Sequence, residues 1–164
     1  MLRNRTRSQL LGLAGWLAVT FVAAAAGAIA SMDAQAFYAQ LDKPGWAPPA
    51  GVFGPVWSLL YVLMGGAAWL VWCERPSQRV DGALGLYLVQ LSANALWSWL
   101  FFAWQLGAAA FAEVVLLLAL IVGTLAAFWR IRPLAGLLLL PYLAWVTFAS
   151  ALTWAVWQRN PGLL

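Results

Sequence analysis

Residues 107–129 read GAAAFAEVVLLLALIVGTLAAFW, an apolar run that contains one ionisable residue, Glu113, and no proline. At 1.5 Å per residue, a helix over this run is roughly 35 Å long, enough to cross the hydrocarbon of a bilayer. Its residues do not alternate in the way that a lipid-facing barrel strand requires. Similar runs lie near 10–30, 52–73, 83–104 and 134–157. The expected fold is an all-α membrane protein, a bundle of five transmembrane helices that makes one domain of residues 1–164. Composition agrees: 65% of the residues are hydrophobic and 9% charged, far from the balance of soluble domains. The basic start and the Ala23–Ala28 stretch look like a secretory leader. The apolar region from Leu10 to Ala30 is longer than a leader core, so it is read as a retained first span.

The net charge of +4 does not predict a nucleic-acid partner, because of where the cations fall. Arg3, Arg5 and Arg7 precede the first span, and Arg75, Arg79, Arg130 and Arg132 flank later ones. Lys43 lies in the connector 31–51 and Arg159 near the C-terminus. The positive-inside rule then predicts the N-terminus inside, with the connector and the C-terminus outside. Helical spans with this bias fit a bacterial inner membrane; an outer membrane is the alternative. The chain has no His and a single Cys, Cys73. That removes His-ligated metal, His general bases and an intrachain disulfide, and Cys73 at a helix end reads as an inert small residue.

The connector SMDAQAFYAQLDKPGWAPPAG (31–51) is long enough to suggest a lid or a binding loop. Phe37, Tyr38 and Trp46 would be out of place in a solvated linker. Pro48-Pro49 stops any helix before the second span. Pro55 and Pro133 suit first helical turns, and Pro141 is expected to kink the fifth span.

Twelve tryptophans are present. Trp69, Trp72, Trp104, Trp129 and Trp157 fall near span ends, as interfacial belt residues do. Others lie deep inside the spans. Gln90, Asn94 and Trp97 recur at i, i+4 and i+7 on one face of the third span. Trp57 and Tyr61 share a face of the second span with Gly65, and Tyr142, Trp145, Ala149 and Leu152 form a stripe on the fifth. Each stripe alone suits ordinary packing, and a buried amide alone suits interhelical bonding. Three converging stripes describe an aromatic-walled small-molecule pocket with a few directed hydrogen bonds. Glu113 has no cationic partner within a span and reads as a protonated or snorkelling side chain, with proton-coupled transport as the alternative. Ala23/Gly27 and Ala119/Gly123 are small-xxx-small pairs that permit close helix contact, within a subunit or between two. No internal repeat of the inverted-transporter kind is visible.

Four segments carry a resemblance: LDKPGWAPP (41–49), GPVWSLLYVLMG (54–65), GLYLVQLSANALWSWLFF (85–102) and PYLAWVTFASALTWAVWQRN (141–160). In order and spacing they resemble the TspO/MBR family, the bacterial tryptophan-rich sensory proteins and the mitochondrial translocator protein once called the peripheral benzodiazepine receptor. The resemblance spans about residues 10–160. It implies five helices, a homodimer, and binding of porphyrins such as protoporphyrin IX, with sterol-like or benzodiazepine-type ligands in some members. Carried over by motif, the ligand-binding residues would be Trp46, Trp57, Tyr61, Asn94, Trp97, Tyr142, Trp145, Phe148 and Ala149. Trp57 and Trp145 match the pair linked in some bacterial members to light-dependent porphyrin breakdown. The sterol-recognition pattern of animal members is altered here. Trp154 replaces its Tyr, and Arg159 comes one place late.

The preferred expectation is thus a membrane sensor or translocator that binds porphyrin-type tetrapyrroles and requires no cofactor of its own. The alternative is an enzyme that degrades porphyrin in light through Trp57 and Trp145.

Overall fold

The structure, a computed structural model, describes residues 2–164, with side chains from Arg7 onward. The side chains of Arg3 and Arg5, invoked above as topology signals, lie outside the described residues. Helix α1 covers Leu2–Ala30 and a short α2 covers Ala34–Gln40. A 3-10 turn at Ala50–Val52 leads into α3, Phe53–Trp72. Helix α4 covers Gln78–Ser98 and continues into a π-helical turn, Trp99–Ala103. Helix α5 is Gly107–Ile131 and α6 is Pro133–Arg159. No strand occurs among the described residues.

Five of these helices are long and apolar enough to cross a membrane, which makes the fold a five-helix membrane bundle. Less than half of each apolar window is buried inside the bundle. The outward side chains are themselves apolar, among them Leu59, Val62, Val115, Leu116 and Val122. A soluble helix would be polar there; this surface suits lipid. The five pack as a closed ring, in the order α1, α3, α6, α5, α4 and back to α1. Met64, Tyr87, Leu117, Ile121, Leu139 and Tyr142 fill the ring's interior. A second apolar cluster, with Phe37, Leu41, Phe101, Leu152 and Val156, seals the end that carries the connector.

Several boundaries and details differ from expectation. The third span begins at Gln78 rather than 83, because a polar first turn precedes its apolar body. The 31–51 connector is partly helical, through α2. The glycine of each small-residue pair faces α4 of the same chain, while Ala119 is exposed. A Cβ on Gly123 would lie 3.5 Å from Leu86 of α4, and one on Gly27 would lie 3.2 Å from Ser98 Oγ. The end tryptophans do more than line an interface. Trp72 lies against Gly12, Trp157 against Gly107 and Trp129 against Gly136, each so close that a Cβ on the glycine would collide with the indole. Trp69 also donates its indole N–H to the Gln9 carbonyl at 2.9 Å.

Candidate functional site

A cavity of about 560 Å³ opens among α1, α3, α4 and α6 beneath the connector, within the range of small-molecule pockets. Its α1 wall is made of Ala24, Gly27, Ala28 and Ser31. These recur at i, i+3, i+4 and i+7 on one face, and their small size keeps the space open. Helix α3 contributes Phe53, Trp57 and Tyr61, one helical turn apart. The α4 wall carries Trp97, and the π-helical turn brings Phe102 to the same side. A π turn holds more residues than an α turn. Here it lets Phe101 and Phe102 both face Trp97, at ring distances of 5.3 and 5.7 Å. Trp145 and Ala149 close the α6 side, and Tyr38 comes from α2. No charged side chain lines the cavity.

Behind Tyr61 runs a chain of buried hydrogen bonds that joins three helices. Tyr61 donates to Asn94 Oδ1 at 2.7 Å, and Asn94 Nδ2 donates to the Tyr142 hydroxyl at 3.2 Å. Tyr142 donates in turn to Gln90 Oε1 at 2.9 Å. Buried amides and hydroxyls need such partners, and this chain holds Tyr61 and its stacked neighbour Trp57, 5.5 Å away, at the cavity wall. Among the described residues three buried donors have no partner in the protein: Gln90 Nε2 and the indole N–H groups of Trp97 and Trp145. The two indole rings line the cavity, but their nitrogens are covered by neighbouring atoms and do not face it.

The connector is held by its own polar contacts. Tyr38 donates to the Pro48 carbonyl at 3.0 Å. Lys43 Nζ donates to the carbonyls of Tyr38 and Leu41 at 2.7 and 2.9 Å and lies over the Tyr38 ring. Burial pushes the Tyr38 phenol above its ordinary pKa. Asn160, just past α6, accepts from the Asp42 N–H at 2.8 Å and donates to the Asp42 carbonyl at 2.9 Å.

The motif-derived residues divide into three groups. Trp57, Tyr61, Trp97, Trp145 and Ala149 line the cavity. Asn94 and Tyr142 lie behind it, in the hydrogen-bonded chain. Trp46 is half exposed and reaches the site through rings: Trp46 meets Phe148 at 5.8 Å, Phe148 meets Trp145 at 5.5 Å, and Trp145 meets Phe53 at 5.9 Å. Glu113 is buried on α5 away from the cavity, with no partner for either oxygen. The sequence pattern had not marked the α1 wall, Phe21 or Tyr38 as site residues. The spacing of Ala24, Gly27, Ala28 and Ser31 was a readable signal for the first of these.

A profile of the TspO/MBR family matches residues 15–158. The chain belongs to the TspO/MBR family. Among its relatives are the "Translocator protein" of Homo sapiens, 40% identical over 77% of this chain and 76% of the relative, and the "Tryptophan-rich protein TspO" of Chlorobaculum tepidum, 41% identical over 76% and 80%. A third, "Protein CrtK" of Rhodobacter capsulatus, is 38% identical over 88% and 92%. This TspO/MBR protein is therefore an integral multi-pass membrane protein of the sensor and translocator kind. Its cavity is what a functional reading must explain.

Proposed function

We propose that the protein binds a porphyrin-type tetrapyrrole in the 560 Å³ cavity and serves as a sensor or translocator for it. The observation that carries this reading is the wall itself: uncharged, and aromatic on three sides through Phe53, Trp57, Tyr61, Trp97, Phe102 and Trp145. A flat aromatic macrocycle stacks on such walls. The ligand is taken as free-base porphyrin such as protoporphyrin IX. The cavity has no His or Cys, and the one thioether on its wall, Met32, is 77% exposed. The N-terminus is assigned to the inside of a bacterial inner membrane, so the cavity opens toward the outside.

The test is a dark titration of purified protein with protoporphyrin IX, followed by quenching of tryptophan fluorescence. Saturable binding weakened about tenfold or more in Trp145→Phe and Asn94→Leu supports the reading, since the first trims the aromatic wall and the second removes the partner that holds Tyr61 in it. Unsaturable quenching, or quenching unchanged in both variants, sinks it.

A second reading is favoured by the presence of both Trp57 and Trp145 on the cavity wall. In it, light excites the bound porphyrin, electrons pass through these indoles, and dissolved dioxygen is the oxidant reduced as the macrocycle is oxidised. Trp57→Phe would then retain dark binding but lose the light-dependent product.

A further inference from the structure

We infer that Asn160 is a positioning residue of the binding site: from the end of α6 it holds the connector in the register that places Tyr38 over the cavity and Trp46 against Phe148. This rests on the ligand-binding reading above. Asn160 is only 7% exposed, and its side-chain amide is fully used. The oxygen accepts from the Asp42 N–H, while the nitrogen donates to the Asp42 carbonyl and to the Val156 carbonyl at 2.7 Å. The first two bonds grip one peptide residue from both sides, 118 positions away in sequence. The third fastens the side chain to its own helix. An amide has both an acceptor and a donor on one planar group. Asp would keep only the acceptor, and Leu neither.

The hold passes directly to the site. Asp42 stands between Leu41, which is buried, and Lys43, which clamps the carbonyls of Tyr38 and Leu41. Fixing Asp42 therefore fixes the last turn of α2, and with it Tyr38 at the cavity wall. Helix α6, to which Asn160 is fastened, carries Trp145, Phe148 and Ala149. Beside the apolar packing of Phe37 and Leu41 with Leu152 and Val156, the hydrogen bonds that join the two sides of the cavity mouth thus converge on a single residue. Among the described residues no other hydrogen bond links residues 32–51 to α6. The ion pair of Arg159 with Asp42, at 3.8 Å between exposed side chains, is of the weak surface kind.

The experiment compares wild type, Asn160→Leu, Asn160→Asp and Asp42→Asn. One readout is hydrogen exchange of the ligand-free protein. The other is the dark association and dissociation kinetics of protoporphyrin IX. In Asn160→Leu, exchange at amides 37–42 should quicken about tenfold while α3 and α4 amides stay unchanged, and porphyrin dissociation should quicken by a similar factor. Asn160→Asp should fall between. Asp42→Asn should stay within about twofold of wild type, because both bonds are to the Asp42 backbone and only the ion pair is lost. Unchanged exchange and kinetics in Asn160→Leu would overturn the inference, as would an Asp42→Asn defect equal to that of Asn160→Leu. Slowed binding with uniformly faster exchange in every helix would also overturn it, by showing general destabilisation. Should wild type fail to bind porphyrin at all, the ligand reading falls, and connector exchange alone still decides whether Asn160 holds the loop.

Discussion

Tyr142 carries two obligations with one hydroxyl: it accepts from Asn94 and donates to Gln90. Tyr142→Phe leaves both amides without those partners in an apolar interior. Each buried, unmatched group costs on the order of 1–3 kcal/mol. Thermal unfolding in detergent should therefore show a larger loss for Tyr142→Phe than for Tyr61→Phe, which strips one partner from Asn94. Equal losses would mean that the amides find other partners. Cys73 gives a second test at this scale. Burial raises its thiol pKa, the Arg132 charge lowers it, and Glu74 raises it. A raised pKa keeps the neutral thiol at pH 7 and defers thiolate formation to higher pH. Maleimide labelling of Cys73 should be slower than that of a free cysteine at neutral pH and should climb as pH rises. Arg132→Gln removes the one lowering influence and should slow labelling further, whereas faster labelling would contradict this electrostatic assignment.

The long elements were readable because apolar length alone identifies a span, and residues 107–129 needed no finer signal. What escaped notice has specific physical causes. Helix α2 is seven residues long, set among Pro, Gly and Asp, and it exists through the packing of Phe37 and Tyr38 rather than through propensity. The π turn at Trp99–Ala103 leaves no mark in a 3.6-residue period. The end tryptophans matched a membrane-belt pattern, and composition does not reveal that three of them lie against glycines of neighbouring or sequential helices. That contact has its own consequence: Gly107→Leu must displace the Trp157 ring, and Gly12→Leu the Trp72 ring. Overpacking of this kind costs about 1–3 kcal/mol. Both variants should unfold at lower temperature, while Gly15→Leu, at an open position, should not. A neutral Gly107→Leu would show that the indole has another place to go.

For the whole molecule, the ring order α1, α3, α6, α5, α4 explains why only part of the candidate site was legible. Trp57, Tyr61, Trp97 and Trp145 stand on stripes that each helix displays by itself. The α1 wall becomes a wall only because the ring closes α1 between α3 and α4, a relation that no single stripe carries. The assignment of sides is tested by labelling from outside the cell with a membrane-impermeant thiol reagent, in a Cys73→Ala background. Ala47→Cys in the connector should react and Gln78→Cys at the start of α4 should not; the reverse pattern would invert the topology. The ring order also bears on how the protein is made. Helix α1 leaves the ribosome before α4, one of the two helices that flank it, and the gap between α3 and α5 is filled only by α6. Until α6 inserts, the cavity has an open side, and Asn160 follows α6. A nascent chain that stops short of Asn160 lacks the bonds that fasten the connector to α6, so the cavity closes late in synthesis.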